Sequence, residues 1–329
     1  MPSDRKELVR LAAKINGLTG PDVQPWHLKA SFQLFDEQGK VTGEGTYEEL
    51  WVSPSKHKRI FTSGAFTQTE FVTDKGIMRS GAHDQAPELL TQIRGQFINP
   101  IPLDDDQIEH STFDLQRPSA GAAAIRCMGV TASGVPPKPQ PLGSVFCLDP
   151  NLPAVRIVLR TGVADQVLRN HLMKFQGRYL AQDLEGNDSA YPQPNEHPLF
   201  TAHLDIAETL KTINESDFTP PGDAVTPPKR IELAPDVVSK MLLQHPKPVY
   251  PPIAQAACVQ GTVVLKAIIS ADGIPQSLRV VSGPAMLQQA ALDSVKKWTY
   301  KPFMVDGELV QVETTINVPF TIGIGGPCH

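Results

Sequence analysis

No stretch restricts the fold as tightly as residues 310–322. There Val310, Val312, Thr314, Ile316, Val318, Phe320 and Ile322 alternate without a break against Gln311, Glu313, Thr315, Asn317 and Thr321. Successive side chains of a β-strand point to opposite faces, so this pattern specifies a strand with one face buried and one in water. Pro319 falls on the outward register, and a proline is tolerated in a strand mainly at a sheet edge.

The residues before it supply the partners of that strand. Thr262-Val263-Val264-Leu265-Lys266-Ala267-Ile268-Ile269-Ser270 is short and rich in β-branched residues, which favours a strand over a helix. Asp272-Gly273 tolerates the positive φ of a tight turn, and residues 274–282 return antiparallel as a hairpin. Over residues 286–298 the period changes: Leu287, Ala290, Ala291, Val295 and Trp298 form one helical stripe, and Pro302 stops it. A strand, helix, strand crossover then places the last strand beside the first, in the order two-one-three. The last strand is thereby an edge with an unpaired row of N–H and C=O groups, which a protein either protects or uses.

Read in order, Tyr250-Pro251, Gly261-Thr262-Val263, Asp272-Gly273, Val280-Val281-Ser282-Gly283, Ala291-Leu292-Asp293 and Lys296-Lys297-Trp298-Thr299-Tyr300-Lys301-Pro302 resemble the C-terminal domain of the TonB family of periplasmic energy transducers. The resemblance implies a three-stranded sheet backed by helices over residues 249–323. It implies binding of the TonB box, an extended segment of an outer-membrane receptor, by addition to the last strand. The site expected on that basis is Val310, Gln311, Val312, Glu313, Thr314, Thr315 and Ile316, with Tyr250 and Pro251 as a flank. An edge covered by homodimerisation is the competing reading. Trp298 and Tyr300 read as core residues rather than ligand contacts.

At 329 residues the chain is long enough for two domains. A net charge of −5 argues against nucleic acid as the main partner, because phosphate binding asks for a strongly basic surface. Charge divides only slightly, +2 over residues 229–329 against −7 elsewhere. No run approaches the ~20 apolar residues that cross a bilayer. A TonB-type transducer is expected to carry an N-terminal membrane helix coupling it to inner-membrane motor proteins. Ser3-Asp4-Arg5-Lys6-Glu7 instead reads as a polar helix start, so the expectation is a periplasmic chain with no anchor or signal peptide in this sequence, either because that segment was removed or because the protein was never anchored.

Residues 1–218 read as one antiparallel β domain, giving an α+β chain. A helix at residues 4–18 precedes strands at 27–35, 42–52, 58–62, 66–73 and 76–80. A second helix at 87–97 precedes strands near 113 and at 123–130, 145–148, 155–159, 175–183 and 200–210. This order, with Glu49-Leu50-Trp51-Val52-Ser53-Pro54-Ser55-Lys56-His57-Lys58-Arg59, resembles the half-barrel of the LolA lipoprotein carriers. That resemblance implies a concave apolar face for a lipid or lipoprotein ligand; a face filled by side chains is the alternative.

Cys127 and Cys147 are the expected disulfide, since each lies in a strand-like run beside a Pro-rich loop; the alternative is two buried thiols. Such a bridge contributes roughly 3 kcal/mol. Cys258 reads as a small buried apolar residue, and residues 324–329, with Cys328, as a flexible tail. Residues 219–248 are crowded with prolines and read as a semi-rigid linker carrying one short helix.

Catalytic constellations are missing. The sequence has no Gly-x-Ser-x-Gly elbow, no phosphate loop, no His-Glu-x-x-His and no Cys-x-x-Cys, so no cofactor and no enzyme activity are expected. His197 and His203 could share one strand face, and Asp104-Asp105-Asp106 could meet a calcium ion, but solvated side chains are the simpler reading of both.

Overall fold

The computed structural model describes residues 2–36, 38–64, 66–82, 85–116, 125–132, 144–159, 163–188, 196–305 and 307–322. Contacts divide the chain into two units, Met1–Thr226 and Pro227–His329.

The first unit opens with α1 (Arg5–Asn16), capped by Asp4, whose carboxylate accepts the Glu7 N–H at 2.9 Å. Five strands follow as a meander: β1 (Trp26–Phe35), β2 (Val41–Ser53), β3 (Lys56–Ser63), β4 (Thr67–Thr73) and β5 (Gly76–Gly81). Two helices, α2 (Glu88–Ile98) and α3 (Asp105–Glu109), lead to β6 (Ser111–Gln116), β7 (Arg126–Ala132), β8 (Val145–Leu148) and β9 (Val155–Leu159). The last three are β10 (Gln166–Phe175), β11 (Arg178–Asn187) and β12 (Phe200–Thr209). All twelve join one sheet in the order β5-β4-β3-β2-β1-β12-β11-β10-β9-β8-β7-β6. The expected α+β class with a large antiparallel sheet and few helices is the one observed.

One expected strand differs. The reading that ran a single strand over 175–183 meets a two-residue turn, Gln176 and Gly177, both at positive φ (50° and 74°), which closes the β10–β11 hairpin. Such turns usually announce themselves with Asn-Gly or Asp-Gly, and glutamine in the first position hides this one. Asp104 is also reassigned: it caps α3 in a reciprocal box with Gln107, which accounts for its carboxylate without a cation.

The sheet face under α2 is filled. Leu90, Ile93, Phe97 and Ile98 of that helix share a core with Trp26, Tyr47, Trp51, Phe61, Leu184 and Phe200, and Trp26 and Trp51 stack 5.9 Å apart. A polar lock holds α2 there. Glu49, fully buried, takes two bonds from the Arg94 guanidinium of α2 (2.7 and 3.0 Å), one from Tyr47 and a longer one from Arg59 (3.4 Å). Arg59 also reaches Glu70 at 2.8 Å, and Arg79 reaches Glu70 from the other side at 2.9 Å. Burial by itself raises the pKa of Glu49, but Arg94 and then Arg59 outweigh it and hold the carboxyl at about 2.

Cys127 and Cys147 face each other across β7 and β8 and are bonded. Cys258 departs from expectation: it is exposed, at φ 55°, and disulfide-bonded, with its partner outside the described residues. The expected tail at 324–329 lies outside them too.

Residues 219–248, expected as a linker, are shared between the units. Val225 exchanges two backbone bonds with Arg79 of β5 (2.7 and 2.8 Å), within the first unit. In the second unit, β13 (Arg230–Glu232), α4 (Pro235–Ser239) and β14 (Leu242–Gln244) are folded elements. After them come α5 (Pro252–Ala256), β15 (Gly261–Ile269), β16 (Pro275–Ser282), α6 (Ala285–Val295), β17 (Thr299–Tyr300), β18 (Phe303–Val305) and β19 (Glu308–Phe320). The main sheet runs β13-β19-β15-β16, with β18 also on β19, and β14 pairs with β17. Leu287, Ala291 and Val295 of α6 pack on Val263, Leu265, Ala267, Ile269, Val312 and Val318. The expected order two-one-three is present as β16-β15-β19, but the sheet does not stop at β19.

The Glu49 lock sets a pH response. Its folded pKa of about 2 lies below its ordinary 4.5, so the stability it contributes is complete above about pH 4.5 and is lost as pH falls toward 2. Glu49→Gln leaves Arg94 buried without a counter-charge and should cost roughly 3–5 kcal/mol in denaturant unfolding, while flattening that acid limb. Arg169 offers the opposite case: it is fully buried, and among the described residues its Nη1 and Nη2 have no hydrogen-bond partner. Arg169→Met should therefore raise the melting temperature of the first unit's transition, by calorimetry.

Candidate functional site: the outer flank of the last strand

Every residue of β19 faces a geometric constraint on which side its backbone can bond. In an antiparallel ladder the N–H and C=O of one residue point to the same flank, and the next residue's point to the other. Residues Val312 to Phe320 pair with Ile269 to Gly261 on β15, and Val310 with Phe303 on β18. The Gln311 N–H goes to the opposite flank, donating to the Lys229 carbonyl at 2.8 Å. By alternation, even-numbered residues of β19 face β15 and β18 with their backbone, and odd-numbered residues face outward.

The expected site residues divide on this criterion. Val310, Val312, Thr314 and Ile316 spend their backbone groups on the inner flank, and their side chains are buried. They are framework. Gln311 and Glu313 do face outward, but their flank is already taken. β13 lies beside them in parallel, pairing Arg230 with Gln311, Ile231 with Val312 and Glu232 with Glu313. The Leu233 N–H donates to the Glu313 carbonyl at 3.1 Å, and the Leu233 carbonyl accepts the Thr314 hydroxyl at 2.8 Å. The Arg230 guanidinium donates to the Gln311 side-chain carbonyl at 3.1 Å. The sequence hides this because pairing of a three-residue strand across 81 positions leaves no local period; its only trace is the alternation of Ile231 and Leu233.

Beyond Glu313 the flank opens. Pro235 starts α4 and turns the chain away, and among the described residues no strand pairs with the outer side of β19 from Thr315 onward. Thr315 and Asn317 each present an N–H and a C=O there, and Pro319 a C=O alone. Asn317 and Pro319 are exposed and Thr315 is half-buried. A cleft of about 410 Å³ adjoins this opening, walled by Pro235, Asp236, Val238 and Ser239 of α4, by Leu242, Trp298 and Tyr300, and by Thr315, Ile316 and Asn317. Burial raises the Tyr300 pKa above its ordinary value. Trp298 is only partly buried and donates to the Pro246 carbonyl at 3.2 Å, so its ring edge is both anchored and accessible.

Tyr250 and Pro251 stand apart from Gln311 and Glu313. The Tyr250 ring meets Phe320 edge-on at 5.5 Å, and its hydroxyl donates to the Val259 carbonyl at 2.5 Å, while Pro251 precedes α5. From Phe320 to Gln311 is about 30 Å of strand at ~3.4 Å per residue. Tyr250 therefore belongs to the open end of β19. Across the inner ladder Lys266 and Glu313 form an ion pair at 2.5 Å.

Among the described residues no three His, Cys, Asp or Glu are placed to hold a metal ion. His203 does not join His197; its Nδ1 and that of His171 bracket the Asp183 carboxylate at 2.7 and 2.5 Å. No helix among those residues is long and apolar enough to cross a membrane.

Comparison with known proteins places the second unit. Residues 246–322 match the family model for the Gram-negative bacterial TonB protein C-terminal domain. Protein TonB of Vibrio cholerae is 35% identical over 82 residues, which are 24% of this chain and 33% of that protein. Protein tonB2 of Pseudomonas aeruginosa is 39% identical over 62 residues, 18% of this chain and 23% of that one. The chain thus spans a third or less of these relatives. A LolA superfamily protein from Nitrosomonas europaea aligns with 67% of this chain and 99% of its own, at 10% identity and a TM-score of 0.43. The likeness of the C-terminal residues to TonB, expected from their motifs, is established by the family model and both relatives.

The parity of β19 is directly measurable. In native-state hydrogen exchange by NMR, the Thr315 and Asn317 amides should exchange at least ~10-fold faster than those of Val312, Thr314 and Ile316. Equal protection at all five would mean that the outer flank is covered in solution.

Proposed function

We propose that the second unit binds an extended peptide by β-augmentation on the outer flank of β19, as part of energy-coupled transport across a Gram-negative outer membrane, and that it works in the periplasm. The observation that carries this reading is the unpaired row at Thr315 and Asn317 beside the α4–Trp298 cleft, in a unit that matches TonB C-terminal domains. Backbone bonds to that row supply affinity, and the cleft selects a side chain. The partner in this reading is the TonB-box segment of a TonB-dependent receptor.

The site is therefore centred lower on the strand than its motifs suggest, on Thr315, Asn317 and Pro319 with Tyr250 at its far end. The carrier alternative would require α2 to leave the sheet face it fills, breaking the Arg94–Glu49 bonds.

Titration of the full chain with a synthetic TonB-box peptide, followed by ¹⁵N amide shifts, tests the reading. Thr315 and Asn317 should shift, and Thr315→Pro, which removes one outward donor and leaves the β15 ladder intact, should weaken binding at least ~10-fold. An unmoved β19 at millimolar peptide sinks the proposal. Shifts that appear on raising protein concentration without peptide would instead mean that a second copy occupies the flank.

A further inference from the structure

The outer flank of β19 is half occupied by the chain itself, and the occupant has the form of a bound peptide. Lys229–Leu233 is extended, runs parallel to β19, and is held by the bonds from Gln311, Leu233, Thr314 and Arg230 described above. Ile231 and Leu233 point to the core side and are only half-buried, while Glu232 is exposed. Only three residues are paired. Pro227 and Pro228 precede the segment and Pro235 follows it, which restricts the backbone at both of its ends.

We infer that Lys229–Leu233 is an intrachain competitor: it occupies the register a partner peptide needs, and binding along the whole flank requires its release. The inference rests on the β-augmentation reading and goes beyond it. Release is local, because β19 keeps its nine-residue ladder with β15 when β13 leaves. A peptide seated at Thr315 and Asn317 and extended by two further residues in the direction of Glu313 meets Leu233, so its length decides whether displacement occurs. The displacing peptide takes over the same bonds in parallel, and it needs apolar residues two apart to replace Ile231 and Leu233 on the core. With β13 paired in most molecules, the apparent affinity is reduced by the fraction that is open.

The test uses the full chain and a TonB-box peptide of about ten residues, with two variants. Ile231→Pro removes a strand donor facing β19, and the double substitution Ile231→Ala, Leu233→Ala removes the core anchors more gently. Exchange at the Gln311 amide, whose partner is the Lys229 carbonyl, reports release, and exchange at Val312 and Thr314 confirms that the unit remains folded. The expected result is faster exchange at Gln311 in both variants, unchanged protection at Val312 and Thr314, and peptide affinity tightened ~10-fold, corresponding to a β13 closed about nine-tenths of the time. Faster exchange with equal or weaker affinity overturns the competitor, as does unchanged Gln311 protection in both variants. Absence of binding in wild type and variants alike overturns the β-augmentation reading itself, a different outcome from equal binding.

Discussion

A strand residue can give its backbone to only one neighbour, and that restriction governs the second unit of this protein. β19 lies between β15 on one flank and a partly filled opening on the other, so its even-numbered residues from Val310 to Phe320 are committed twice, side chain to core and backbone to ladder. Its odd-numbered residues are left to deal with whatever approaches from outside. Gln311 and Glu313 have met β13; Thr315 and Asn317 have met nothing among the described residues. Pro319 ends the row of donors, which limits any added strand at that end without a bulge or a change of element.

The first unit is held by a different balance. Its α2 sits on the sheet through a broad apolar contact, and within that contact lies a charged cluster whose members are costly to bury singly and tolerable together. Glu49 accepts from Arg94, Arg59 and Tyr47, so removing α2 would take away its two shortest guanidinium bonds and leave only the donors of the sheet itself. The lock makes the position of the helix specific where apolar packing alone would permit sliding. Arg169 lacks such compensation: its Nε donates to the Val155 carbonyl, and among the described residues its Nη1 and Nη2 meet no acceptor.

Both segments that read as linker turn out to be strand-like neighbours of existing edges. Val225 bridges to Arg79 at the end of β5, and Arg230–Glu232 adds to β19. Extended proline-flanked chain lowers the entropy lost on pairing, and an open edge supplies the donors and acceptors. A compositional reading treats proline density as separation between domains; here the same density makes short pieces of chain good edge covers. The two ideas differ only in whether an edge is within reach, which composition does not report.

What the sequence determined by itself is whatever rests on local periodicity and turn chemistry. The alternation of residues 310–322, the Asp272-Gly273 hairpin and the helical stripe through Leu287 and Val295 all follow from neighbours a few positions apart, and the facing of Cys127 with Cys147, 20 positions apart, from two strand-like runs flanking one loop. The likeness to TonB came from motifs spread over those same elements. Tertiary structure decided the rest: that β13 reaches β19 across 81 positions, that Glu49 meets Arg94 from a helix 45 residues on, and that Cys258 is exposed and bonded instead of buried. A period of two says which face of a strand is wet, because side chains alternate up and down. It is silent on which flank is free, because that depends on how many strands the rest of the chain can bring alongside.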